Sequence, residues 1–240
     1  MKTAAVILIL FSIINIGKAQ KKTITFPSKD GLEITADLYE KDKNATVILL
    51  CHQAGYSRGE YLEIAPKLNA LGFTCMAIDQ RSGNAVNNIV NQTAKKAKKQ
   101  HLKNSYLASE PDIIAAIAFL SKKYNQKIIL WGSSYSAALS LKIGKENENV
   151  KAVLSFSPGE YLKGVNLNKT ISKLEKPVFV TSSQKEGAAV KKVLSGVATQ
   201  FKTQFVPKVS GFHGSKALWK TKKGNESYWK EVKKFLKKVK

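Results

Sequence analysis

The sequence has 240 residues, 43% of them hydrophobic and 9% aromatic, which suits one domain with a sizeable core and excludes a disordered chain. Lysine and arginine outnumber aspartate and glutamate by 40 to 17, a formal net charge of +23 that invites a nucleic-acid reading. The lysines are scattered, however, with local runs only at Lys95–Lys99 and Lys233–Lys238, and no zinc-ligand spacing or RNA-binding signature accompanies them, so nucleic acid is not expected as a partner.

The first residues read as a leader. Met1-Lys2 gives a positive start, Ala4–Ile16 is largely apolar, and Gly17-Lys18-Ala19 places small residues three apart. The apolar run is shorter than the roughly 20 residues a spanning helix needs. A signal peptide over residues 1–19 is expected, with export to the periplasm or the exterior. Residues 20–240 are expected to form a single domain with no membrane segment.

Thr23–Phe26 and Leu32–Tyr39 predict two strands joined by a turn at Lys29-Asp30-Gly31. Ala45–Cys51 is a continuous apolar run, as in a strand buried on both faces. Glu60–Leu71 has helical spacing and stops at Gly72. Phe73–Ile78 predicts a further buried strand. Residues 80–106 are polar and predict a long excursion that partly covers the site. Then follow a helix over Pro111–Tyr124, a strand over Lys127–Trp131, a helix over Ser134–Lys145 and a strand over Val150–Phe156. A short linker with one helical turn near Ile171 leads to a strand over Pro177–Thr181. A helix over Ala188–Leu194, a strand over Thr203–Val209 and a helix over Glu226–Val239 complete the chain. In the last helix, Tyr228, Trp229, Val232, Phe235, Leu236 and Val239 form one apolar face and the lysines the solvated one. Four Asn-x-Ser/Thr sequons occur, at Asn44, Asn91, Asn168 and Asn225.

A hairpin followed by alternating strand and helix predicts an α/β fold: a mostly parallel twisted sheet of about eight strands with helices on both faces. The linker after Phe156 is too short for a large lid domain. Cys51 and Cys75 fall on neighbouring strands with an offset of about 10 Å at 3.3 Å per residue, too far for a disulfide, so two buried thiols are expected. Ligands of such sheets bind beyond the C-terminal strand ends, and the informative residues should lie there.

They do. Ile128-Ile129-Leu130-Trp131 runs into Gly132-Ser133-Ser134-Tyr135-Ser136 and then a helix rich in small residues. This resembles the nucleophile elbow of the α/β hydrolases, a turn so tight that the residues two before and two after the nucleophile must be small. Gly132 is as expected; Ser136 replaces the second glycine of the usual pattern. His52-Gln53-Ala54-Gly55 after an earlier strand looks like the family's His-Gly-x-Gly loop, with Gln53 in place of glycine. The resemblance implies an oxyanion hole made by the backbone N–H of Tyr135 and that of Ala54 or Gln53, and a structural role for His52. Asp79-Gln80-Arg81 resembles the family's structural Asp-x-Arg turn.

The family's triad runs Ser, acid, His in chain order. Of the three histidines only His213 follows Ser134, and Phe212-His213-Gly214 lies directly past a strand. The acid should follow Pro177–Thr181, and Glu186 is the only acidic residue between Lys176 and His213. The expected set is therefore Ser134 as nucleophile, His213 as base and Glu186 as supporting acid. The likeness is greatest to the dienelactone-hydrolase-like branch, carried also by Arg58-Gly59-Glu60-Tyr61 and by Tyr106-Leu107 before Glu110-Pro111-Asp112. It covers nearly the whole chain from about residue 22, and implies hydrolysis of small-molecule or polymer-borne esters or lactones without cofactor or metal. Two alternatives remain at this point: a non-catalytic binding protein for an anionic ligand or polymer on the same fold, and a peptidase or acyltransferase with the same triad.

Overall fold

A computed structural model describes residues 21–240. The expected leader, residues 1–19, lies outside the described residues. The chain opens with a hairpin, β1 (Lys21–Pro27) and β2 (Glu33–Tyr39), followed by β3 (Val47–Cys51), α1 (Ile64–Ala70) and β4 (Thr74–Ile78). The excursion after β4 folds into a minimal hairpin, β5 (Ala85–Val86) with β6 (Ile89–Val90), and a helix, α2 (Gln92–Lys99). Its two turn residues, Asn87 and Asn88, both have positive φ, as a two-residue hairpin turn requires. Then come α3 (Glu110–Tyr124), β7 (Ile128–Ser133), α4 (Tyr135–Glu146), β8 (Val150–Phe156), α5 (Leu167–Thr170) and β9 (Val178–Thr181). The chain closes with α6 (Gly187–Val193), β10 (Lys202–Phe205) and α7 (Asn225–Val239).

The main sheet has eight strands in the order β1-β2-β4-β3-β7-β8-β9-β10. β1 and β2 pair antiparallel and β2 runs antiparallel to β4; every later pairing is parallel. The continuous apolar runs are the central strands, because alternate residues feed two cores. Val47, Leu49 and Cys51 face Ile113, Ile117 and Leu139 of α3 and α4. Ile48 and Leu50 face Ile64 and Leu68 of α1 and Trp229 and Phe235 of α7. Cys51 and Cys75 are buried and free, and Cys75 pairs with Ile48, three residues back from Cys51. Between β8 and β9 the only helix is the four-residue α5, so no lid domain occurs among the described residues. None of their helices is long and apolar enough to cross a membrane.

Two local expectations are corrected. Glu60–Leu71 is not one helix: a 3₁₀ turn over Arg58–Tyr61, capped by Ser57, precedes α1, because the Glu60 side chain is drawn inward to two hydrogen-bond donors. The last strand ends at Phe205 rather than Val209, since Pro207 has no N–H for the ladder. The residue 80–106 segment packs on the loop after β3 and on β2, where Ser57 Oγ donates to Ile89 O and Thr35 N to Thr93 Oγ1. Within it, Asn91 is buried, caps α2 and donates to Gln80 O, so this sequon has no room for a glycan.

Candidate active site

The site is assembled from the loops that leave the C-terminal ends of β3, β7, β8 and β9 and from the loop before α7. Ser134 sits between β7 and α4 at φ 58, ψ −119, a conformation few non-glycine residues adopt. The crossing is tightest at Gly132, where an added Cβ would lie 2.1 Å from the carbonyl oxygen of Ser136. The serine at position 136 is accommodated without strain. Its hydroxyl is fully buried, donates to His52 O at 2.6 Å and receives Gln80 Nε2 at 2.8 Å. The departure from the usual glycine thus ties the elbow to the loop after β3.

Ser134, His213 and Glu186 come together. His213 Nε2 lies 2.8 Å from Ser134 Oγ, and His213 Nδ1 donates to Glu186 Oε1. Burial works to raise the Glu186 carboxyl, but hydrogen bonds from His213 and Ser183 outweigh it and hold the group at about 2. The second oxygen, Oε2, receives Ser183 N at 2.9 Å, Ser183 Oγ at 2.7 Å and Ser157 Oγ at 3.0 Å. An ionised Glu186 places the proton on Nδ1 and leaves Nε2 as acceptor for the Ser134 hydroxyl. Ser134 is 8% exposed, shielded but open to a small ligand.

Of the expected oxyanion donors, Tyr135 N–H lies at the first position of α4, where no intrahelical acceptor exists and the helix dipole is positive. Gln53 is a correction: its N–H donates to Glu60 Oε2 at 2.8 Å and is not free for a ligand. Ala54 is the remaining member of that pair. His52 is fully buried and linked to backbone: Nδ1 bonds Gln53 O at 2.8 Å and Nε2 accepts from Gln80 N at 3.0 Å. Burial lowers its pKa to about 4, so it is a neutral strut of the loop. Asp79 accepts from Arg58 N, Arg58 Nη1 and Gln92 N, and Arg81 pairs with Asp112 and Asp30; neither enters the site.

Three supporting serines have roles that no sequence pattern assigns. Ser157, itself at φ 57, receives Gly214 N on the hydroxyl it offers Glu186, joining the acid loop to the histidine loop. Ser215 Oγ receives Trp131 Nε1 at 2.9 Å, and Ser215 N donates to Ser133 Oγ at 2.8 Å. Ser133 Oγ in turn donates to Glu60 Oε1 at 2.8 Å. Beside the acid loop runs a groove of about 910 Å³ whose lining includes Pro158, Val165, Lys169, Ala189 and Lys192. Among the described residues no group of three His, Cys, Asp or Glu side chains is arranged to hold a metal ion.

No protein-family model matches the chain, and no curated protein matches it in sequence. Solved structures do. A dienelactone hydrolase from Anabaena variabilis is 14% identical with a TM-score of 0.71, over 93% of this chain and 99% of that one. An esterase from Pyrococcus furiosus is 14% identical with a TM-score of 0.70, over 92% and 93%. A thermostable carboxyl esterase from Bacillus coagulans is 10% identical with a TM-score of 0.70, over 91% and 98%. Together with the strand order, these likenesses identify the fold as that of the α/β hydrolases.

Proposed function

We propose that the protein is a serine hydrolase of carboxylic esters or lactones, with Ser134, His213 and Glu186 as its triad. The observation that carries this reading is the unbroken hydrogen-bond line from Ser134 Oγ through the imidazole to an ionised carboxylate, at the mouth of a strained elbow. Structural bonds alone give no reason to hold Ser134 in a disfavoured conformation with its hydroxyl on an imidazole.

In this reading His213 Nε2 takes the Ser134 proton as Oγ attacks the carbonyl carbon. The carbonyl oxygen becomes an anion held by the N–H groups of Tyr135 and Ala54. Collapse breaks the ester bond, and the leaving alcohol takes the proton from His213. Water then attacks the acyl-enzyme, gives a proton to His213 and releases the acid, returning the proton to Ser134. Glu186 holds the imidazole in the productive tautomer and stabilises its cation.

The test is hydrolysis of p-nitrophenyl acetate and butyrate, with a p-nitroanilide alongside to separate esterase from peptidase. The reading expects ester turnover that falls by roughly 10³-fold or more in Ser134→Ala and His213→Ala. Equal turnover by Ser134→Ala would refute it. The leader-like pattern of residues 1–19 supports the further proposal that the protein works after export.

A further inference from the structure

Glu60 is a second carboxylate at this site, and the triad does not use it. It is fully buried, and no cation lies within salt-bridge distance of it among the described residues. It spans the site's fixed parts instead. Oε2 receives the N–H of Gln53, one residue before the proposed oxyanion donor Ala54, at 2.8 Å. Oε1 receives the hydroxyl of Ser133, one residue before Ser134, at 2.8 Å. That hydroxyl accepts the N–H of Ser215, two residues after His213, at 2.8 Å. The backbone of Glu60 is anchored too, its carbonyl receiving Trp219 Nε1 at 2.8 Å.

A glutamine of the same shape would accept from Gln53 N–H without placing a charge in the interior. Burying an ion without a paired cation is costly, and structural bonding alone supplies no return for it. The charge does have a use beside His213. The positive charges of Lys216 and of protonated His213 act on Glu60 from the histidine loop. By reciprocity, a carboxylate here favours the imidazolium that forms on His213 during acyl transfer.

We propose that Glu60 is a positioning residue of the reaction: its carboxylate ties the oxyanion loop to the elbow and the histidine loop, and its charge supports the imidazolium. The inference rests on the ester-hydrolase reading above. Geometry alone carries the tether; the titration of the group makes it measurable. Burial raises the Glu60 pKa to about 7, against the pull of the two hydrogen bonds and of Lys216 and His213. The other ionisable groups around it are Tyr56, Tyr61 and Arg58, and Arg58 is already paired with Asp37 and Asp79. Activity on the acid side therefore depends on the ionisation of Glu60.

The experiment is steady-state hydrolysis of p-nitrophenyl acetate across pH 5 to 9 by the wild type, Glu60→Gln, Glu60→Asp and Ser133→Ala, with thermal unfolding of each. Glu60→Gln keeps the volume and removes the charge. It is expected to lose roughly 10–100-fold in kcat with KM little changed, and its acid limb should lose the ionisation that Glu60 contributes. Glu60→Asp keeps the charge and should restore that ionisation, which a merely structural requirement for volume would not do. Ser133→Ala cuts the tether with the charge intact. It should lose kcat while keeping that ionisation, and it carries the test if Glu60→Gln does not fold. Unchanged kcat in folded Glu60→Gln or Ser133→Ala, or an acid limb equally steep in the wild type and Glu60→Gln, overturns the proposal alone. A wild type inert toward the ester overturns the hydrolase reading and this inference with it.

Discussion

Ser134 and its two small neighbours show how much one turn asks of individual residues. The positive φ at Ser134 is held because β7 and α4 are each locked in the core on either side. Gly132 is demanded by backbone, not by side chains: a methyl group there meets Ser136 O at 2.1 Å and Ser136 C at 2.4 Å. Backbone atoms on both sides of so short a turn cannot retreat. Gly132→Ala is therefore expected to lose at least about 3 kcal/mol of stability and all elbow-dependent activity, as read by denaturant unfolding and ester turnover. Position 136 differs because its side chain points to His52 O and Gln80 instead of into the crossing. The small size of Ser136 is legible in the sequence; its partner across 84 residues is not. Glu60 stands in a stretch that carries the family likeness, but its bonding is equally hidden. An acidic residue at the start of a helical pattern ordinarily marks a solvated first turn, and nothing local reveals that this one turns inward to Gln53 and Ser133.

At the scale of elements, the strands were the most legible feature. Val47–Cys51, Thr74–Ile78 and Val150–Phe156 are runs that only a sheet covered on both faces can bury. Alternation of strand and helix then located the site loops, and chain order separated His213 from His52 and His101. What escaped was the bonding between loops: the serines at 133, 157, 183 and 215 follow no periodicity, and their roles exist only once four strand ends meet. The Glu60 tether also has a thermodynamic signature. Its folded-state pKa lies above the usual 4.5, so the folded protein holds this proton more tightly than the unfolded chain does. Its contribution to stability is accordingly greatest below about pH 4.5 and is lost as pH rises through about 7. A shift of that size corresponds to about 3 kcal/mol as an upper bound. Glu60→Gln, which cannot ionise, should therefore gain stability relative to the wild type more at pH 8 than at pH 5. Thermal unfolding at the two pH values checks this, and an equal offset at both would contradict it.

Across the whole molecule, two properties bear on function: a fold shared with known hydrolases and a formal charge of +23. The charge is spread over exposed helix faces such as those of α2 and α7, while the acidic residues near the site are engaged. A field of one sign raises the encounter rate of oppositely charged ligands and is screened over about 10 Å at 0.1 M salt. For an ester bearing a carboxylate, kcat/KM should fall as salt rises from 10 to 300 mM by roughly threefold or more, while a neutral acetate ester should show little change. Equal salt dependence for the two esters would remove the case for an anionic substrate. The central claim is that Ser134 is an activated nucleophile, and covalent labelling tests it most directly. Folded protein is treated with a fluorophosphonate and the adduct located by peptide mass spectrometry. The account predicts one adduct, on Ser134, absent from Ser134→Ala; folded wild-type protein that stays unlabelled, or carries its label elsewhere, would contradict it.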